Sequence, residues 1–161
     1  MLIMGIDPSL TSTGYAVLFA QGGQAHPVEF GTIKTRASQP LAHRLERIYR
    51  QISRLISKHG PDEFAVEEVF YARNPKAALM LGYARGAALL AAATAGVPVS
   101  EYSAREIKLA VTGYGNASKE QVRRMVRSQV ASLPEDIGFD VSDAFAVALC
   151  HLHRQKQMSR A

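Results

Sequence analysis

Residues 2–35, LIMGIDPSLTSTGYAVLFAQGGQAHPVEFGTIKT, decide the fold. Leu2–Ile6 is a short apolar run that stops at Asp7-Pro8, the pattern of a buried strand with a turn behind it. Gly14–Ala20 and Val28–Thr35 read as two more strands, with Gly22-Gly23 as the hairpin signal between them. The expectation is a three-stranded antiparallel meander at the start of the chain.

Working outward, Pro40–His59 is the clearest helix. Leu41, Leu45, Ile48, Ile52, Leu55 and Ile56 fall on one face, Pro40 suits the first turn, and Gly60-Pro61 ends it. Glu63–Val69 reads as a fourth strand. The helix before it allows it to run parallel to the first strand. Asn74-Pro75 opens a second helix, which reaches about Ala95 and stops at Gly96. Val97–Tyr102 is a fifth strand. Ser103–Glu106 and Ser118–Gln121 are capping boxes of two short helices. A last helix runs from about Asp140 to Arg154, with a frayed tail after about residue 155. The expected order, βββαβαβααα, makes one α/β domain, residues 1–161, with a mixed five-stranded sheet flanked by helices.

At 161 residues and 47% hydrophobic, the chain can bury a proper core, and 20% charged residues argue against disorder. Nineteen Lys and Arg against 14 Asp and Glu leave a net charge of +5, which suits an acidic partner such as a phosphate backbone. The single cysteine, Cys150, excludes an internal disulfide. MLIMGIDPSL lacks the basic region of a secretion signal, and Ala87–Val99 is too short an apolar stretch to span a bilayer. The expected setting is cytoplasmic.

Acidic residues gather at the ends of elements: Asp7 after the first strand, Glu67 and Glu68 at the end of the fourth, Asp140 and Asp143 at the start of the last helix. Parallel first and fourth strands would bring Asp7 and one of the glutamates together, where α/β sheets place their sites. Asp140 and Asp143, three apart, share a helix face. Such a set repels itself without cations and suits Mg²⁺ or Mn²⁺. Individually each acid has a plainer reading, as a turn aspartate, an N-cap or a first-turn residue. It is their joint placement that favours a metal site. Strand alternation does not choose between the two glutamates, because a central strand is apolar on both faces. Arg73 and Lys76 flank Phe70, and Arg105, Lys108, Lys119, Arg123, Arg124 and Arg127 follow the fifth strand. These are candidate phosphate contacts. Arg44, Arg47, Arg50 and Arg54 read as a solvated helix face. Gly82 and Gly86, four apart, point to a close helix contact. Cys150-His151-Leu152-His153 lies on one helix and cannot wrap a tetrahedral ion.

Four segments, GIDPSLTSTGYA, AVEEVFYARNPKAALMLGYARG, SAREIKLAVTGYGNASKEQV and DVSDAFAVALCH, resemble those of the RuvC family of Holliday junction resolvases, in order and over nearly the whole chain. The resemblance implies an RNase H-like fold and a crossover junction endodeoxyribonuclease that makes paired nicks in recombination and repair. It implies Asp7, Glu67, Asp140 and Asp143 as catalytic carboxylates holding Mg²⁺ or Mn²⁺, two ions per site. Glu67 is selected because the family's glutamate stands two residues ahead of V-F. It also implies Phe70 as an aromatic meeting unpaired bases, Lys108 and Lys119 as basic residues beside the cut strand, a homodimer, and the RuvA–RuvB branch-migration complex as partner. The readings set against it are another RNase H-like nuclease acting on RNA/DNA hybrid or structured RNA, and a non-catalytic junction-binding protein. Four carboxylates facing a DNA phosphate would harm the latter. An actin-like ATPase also begins with an Asp-bearing strand and hairpin, but needs two lobes and a longer chain.

Overall fold

The computed structural model describes residues 1–68 and 74–158. Phe70 and Arg73 lie outside the described residues. Ten elements follow in order: β1 (Leu2–Asp7), β2 (Ser12–Gln21), β3 (Gln24–Lys34), α1 (Leu41–His59), β4 (Glu63–Glu67), α2 (Pro75–Thr94), β5 (Val99–Tyr102), α3 (Ala104–Thr112), α4 (Lys119–Gln129) and α5 (Phe139–Met158). The sheet order is β3-β2-β1-β4-β5. β1, β2 and β3 pair antiparallel, as the sequence predicts, while β4 pairs parallel with both β1 and β5.

Element ends differ from the expected ones for identifiable reasons. β3 begins at Gln24 rather than Val28, and β2 at Ser12 rather than Gly14. Pro27, which argues against a strand interior, is tolerated because β3 is an edge strand and the register shifts opposite it, between Val17 and Leu18. Pro40 is the N-cap of α1 rather than its first residue. β5 starts two residues later than expected, at Val99. α5 continues past Arg154 to Met158, into the stretch that the sequence predicts to be frayed.

Two cores cover the two faces of the sheet. Met4, Ile6, Val17, Phe64 and Val66 pack under α1 and α2, against Ile48, Ile52, Ala84 and Ala88. Ile3, Ala16, Leu18 and Ala65 pack under α3, α4 and α5, against Val122, Val126, Ala144, Phe145 and Ala148. The strands therefore alternate between faces with period two. In the paired register Gly5 stands beside Ala65 and Ile6 beside Val66. One step further, Asp7 and Glu67 share the face that α5 covers, and Glu68 belongs to the other.

α5 lies unusually close to the sheet. A Cβ on Gly5 would overlap the carbonyl oxygen of Ala144, and a Cβ on Gly14 would overlap that of Asp140. Gly14 is the partner of Asp7 across β1 and β2. Two glycines thus let the backbone of α5 rest on the strands, and the second does so beside Asp7.

The pair Gly82 and Gly86 makes no such contact among the described residues: a Cβ at either would meet none of their atoms within 4 Å. α2 turns Ala84, Ala88, Ala91 and Ala92 inward and leaves these glycines outside with Leu79 and Leu90, which are 53% and 58% exposed. By length and composition α2 could cross a membrane, but its inner face is part of the sheet's core.

Gly5→Ala and Gly14→Ala are each expected to destabilise the protein by about 1–3 kcal/mol or more, since backbone rather than a flexible side chain must give way. Calorimetric melting checks this; an unchanged Tm would show that α5 does not rest on these glycines.

Candidate active site

Asp7 ends β1, Glu67 ends β4, and Asp140 and Asp143 lie in the first turns of α5. A cleft of about 230 Å³ is lined by Asp7, Glu67, Lys108, Lys119 and Asp143, with Ala104, Ile107, Val122 and Ala146 as its apolar wall. Lys108 comes from α3 and Lys119 from the first residue of α4, whose Ser118 capping box fixes where that helix starts. Asp140 is not part of the lining; its Oδ2 accepts a 2.6 Å hydrogen bond from Ser12 Oγ at the start of β2.

The charges feel one another. Burial pushes the Asp7 carboxyl up to about 8, and Asp143, Glu67 and Asp140 add to this while Lys119 opposes it. Burial and then Asp143 raise Glu67, against the pull of Lys119 and Lys108. Asp143 is raised by burial, while its 3.2 Å hydrogen bond from Lys119 Nζ works the other way. Asp143 in turn raises Lys119. Lys119, though largely exposed, is thus a cation that the chain itself sets beside these acids. Glu68 is exposed and lines no part of the cleft.

Whether these residues suit divalent cations turns on the donor set. Hard carboxylate oxygens from three elements converge, they disfavour one another's charge, and a lysine ammonium already sits on one of them. That chemistry fits. Among the described residues no three of them close around a point; Lys119 engages Asp143, and Ser12 engages one oxygen of Asp140.

Other basic residues divide. Arg123 stacks on Phe139, 4.5 Å from the ring centroid, and bonds Glu120. With Arg124 and Arg127 it lines a groove of about 320 Å³ along α4. Arg105 is exposed, its stem against Gly115. Lys76 is exposed in the first turn of α2, away from the cleft's lining.

Arg44 corrects the sequence reading. It is not solvated with the rest of its face: Nε donates to Thr35 Oγ1 at 2.8 Å and Nη2 to Leu10 O at 3.1 Å. Buried Thr13 donates to Ser9 O at 2.6 Å. Together these brace the β1–β2 loop just beyond Asp7. Arg47 also donates, from Nε to Lys34 O. Sequence reasoning missed Ser12 and Arg44. Small polar residues flanking Gly14 were the available signal for Ser12; nothing local marked Arg44. Cys150 and His151 are both buried, and His151 bonds Tyr102 Oη at 2.9 Å.

The folded protein holds the Asp7 proton up to about pH 8, while an ordinary carboxyl releases it near 3.8. Metal-free protein therefore loses stability as pH rises through that window. Thermal melting in chelator is expected to show wild-type Tm falling from acidic to mildly alkaline pH, and Asp7→Asn falling less, by a few degrees. Parallel curves would mean that Asp7 carries no such strain.

The sequence matches the family described as crossover junction endodeoxyribonuclease RuvC over residues 3–151. The chain is 49% identical to a crossover junction endodeoxyribonuclease RuvC of Geobacter sulfurreducens, covering 94% of this chain and 92% of that protein. It is 48% identical to one of Tolumonas auensis, covering 99% and 91%. Its structure resembles that of T. thermophilus RuvC in complex with Holliday junction substrate, with a TM-score of 0.92, 34% identity, and 99% and 97% of the two chains covered. A yeast mitochondrial Holliday junction resolvase, at 14% identity and a TM-score of 0.71 over 98% of this chain and 80% of that one, shares the fold. That fold is the RNase H-like architecture expected above. On the strength of the family match and these relatives, the chain belongs to the RuvC family.

Proposed function

We propose that this protein is a crossover junction endodeoxyribonuclease that resolves Holliday junctions in homologous recombination and DNA repair. Its residues 1–161 act as one nuclease domain in the cytoplasm. The observation that supports this most is the meeting of Asp7, Glu67 and Asp143 with Lys108 and Lys119 in one cleft. The same relatives carry the substrate: a protein 34% identical is described in complex with a Holliday junction.

Asp7, Glu67, Asp140 and Asp143 are the residues that would hold Mg²⁺ or Mn²⁺, two ions per site. When bound, such cations activate the attacking water and stabilise the departing 3′ oxygen. The protein's own part is positioning. Asp7 and Glu67 are fixed by strand ends, Asp143 by α5. Lys119 and Lys108, which line the same cleft, would meet the charge of the scissile phosphate as it develops. The attacking group in this reading is water, and no serine, threonine or cysteine is among the described residues that line the cleft.

Arg73, Lys76, Arg105 and Arg123 contact phosphates and give binding its salt dependence. Phe70 stacks on opened bases at the junction core, a contact worth about 1–3 kcal/mol. A four-way junction has two equivalent strands to cut, which a two-fold dimer matches. The outer stripe of α2, with Leu79, Gly82, Gly86 and Leu90, forms the dimer contact beside the apolar groove between α1 and α2. The RuvA–RuvB branch-migration complex supplies the junction.

With Mg²⁺ or Mn²⁺, purified protein is expected to nick opposed strands of a synthetic four-way junction and to spare linear duplex and RNA/DNA hybrid. Asp7→Asn and Glu67→Gln are expected to abolish cleavage while junction binding persists; Glu68→Gln is expected to be mild. Preference for hybrid, or the reverse order of the glutamates, would contradict the proposal. Gly82→Glu is expected to sediment as a folded monomer that makes single nicks. Paired nicks from a monomer would refute the dimer.

A further inference from the structure

Ser12 lies on the face of β2 that α5 covers, two residues before Gly14, where the strand meets the backbone of Asp140. Its Oγ donates to Asp140 Oδ2 at 2.6 Å. Among the described residues Asp140 Oδ1 has no hydrogen-bond partner. The loop that leads into Ser12 is itself held. Thr13 Oγ1 donates to Ser9 O at 2.6 Å and accepts from Ser9 N at 3.2 Å. Leu10 O accepts from both Thr35 and Arg44. The hydroxyl is therefore offered from a fixed point, and the carboxylate it meets has little freedom to rotate while bonded.

We infer that Ser12 is a positioning residue, whose hydroxyl engages one oxygen of Asp140 and presents the other to a divalent cation. This rests on the nuclease reading above, in which Asp140 is a cation ligand. The physical logic is that of an outer partner on a ligating carboxylate. Without it Asp140, outside the lining of the cleft, samples orientations that must be given up when the cation binds. Ser12 touches neither DNA nor metal; it acts through Asp140 alone. Valine at this position would suit a strand but remove the donor, and threonine, of nearly the same shape as valine, would restore it.

The test is Mn²⁺ titration of the full-length wild type, Ser12→Val and Ser12→Thr, followed by calorimetry or electron paramagnetic resonance, with melting of each variant in chelator. Ser12→Val is expected to weaken Mn²⁺ binding about 10–100-fold, to shift the metal-activation curve for junction cleavage to higher Mn²⁺, and to recover most turnover at saturation. Ser12→Thr is expected to stay near wild type in both. Wild-type Mn²⁺ affinity in Ser12→Val would overturn the inference while leaving the nuclease reading intact. So would a loss of affinity in Ser12→Val that Ser12→Thr fails to rescue, or one that tracks a fall in Tm. A wild type that neither binds Mn²⁺ nor cuts junctions would overturn the nuclease reading and this inference with it.

Discussion

The arrangement depends on how closely α5 can approach β1 and β2. Main chain meets main chain at Gly5 and Gly14, and the helix presents small residues, Ala144 and Ala148, where it crosses. Any side chain at either glycine would lift the N-terminal turns of α5. Those turns carry Asp140 and Asp143, so the distance between helix and sheet sets the distance between the α5 carboxylates and Asp7. The packing of one core face and the geometry of the site are the same constraint.

That closeness has an electrostatic cost. Asp7 is driven to about 8 by burial and by its acidic neighbours, and Glu67 and Asp143 are raised in the same direction. Stability is given up locally and recovered elsewhere. The fully buried Ile3, Leu18, Phe145 and Leu149 support the α5 face, and Met4, Ile48, Ile52 and Phe64 support the other. Lys119 moderates the repulsion through Asp143. A site strained in this way is primed for positive charge, which is the property a cation-dependent phosphodiesterase needs.

Much of this was legible in the sequence because it is written in local patterns. The Gly22-Gly23 hairpin, the Asn74 cap and the two capping boxes at Ser103 and Ser118 are all where their signals stand. The choice between Glu67 and Glu68 was not, because both faces of β4 are buried and alternation alone is symmetric. Pairing with β1 breaks the symmetry: the register that puts Gly5 beside Ala65 assigns Glu67 to the face of Asp7. Register between strands sixty residues apart is a tertiary fact. Arg44 was misread for a similar reason. It sits at a polar position of α1 by helical spacing, yet Thr35, just past the end of β3, and the more distant Leu10 come to meet it. The outward turn of Gly82 and Gly86 likewise depends on which side of α2 the sheet occupies, which the nearly uniform apolar character of that helix does not reveal.

The central claim is that strand register and helix approach together assemble one cation site from β1, β4 and α5. Anomalous diffraction from crystals of the protein soaked in Mn²⁺ tests it most directly. The account predicts peaks bounded by Asp7, Glu67, Asp140 and Asp143, with Lys119 displaced from Asp143. Peaks at Glu68, or peaks that leave Asp7 unliganded, would contradict it.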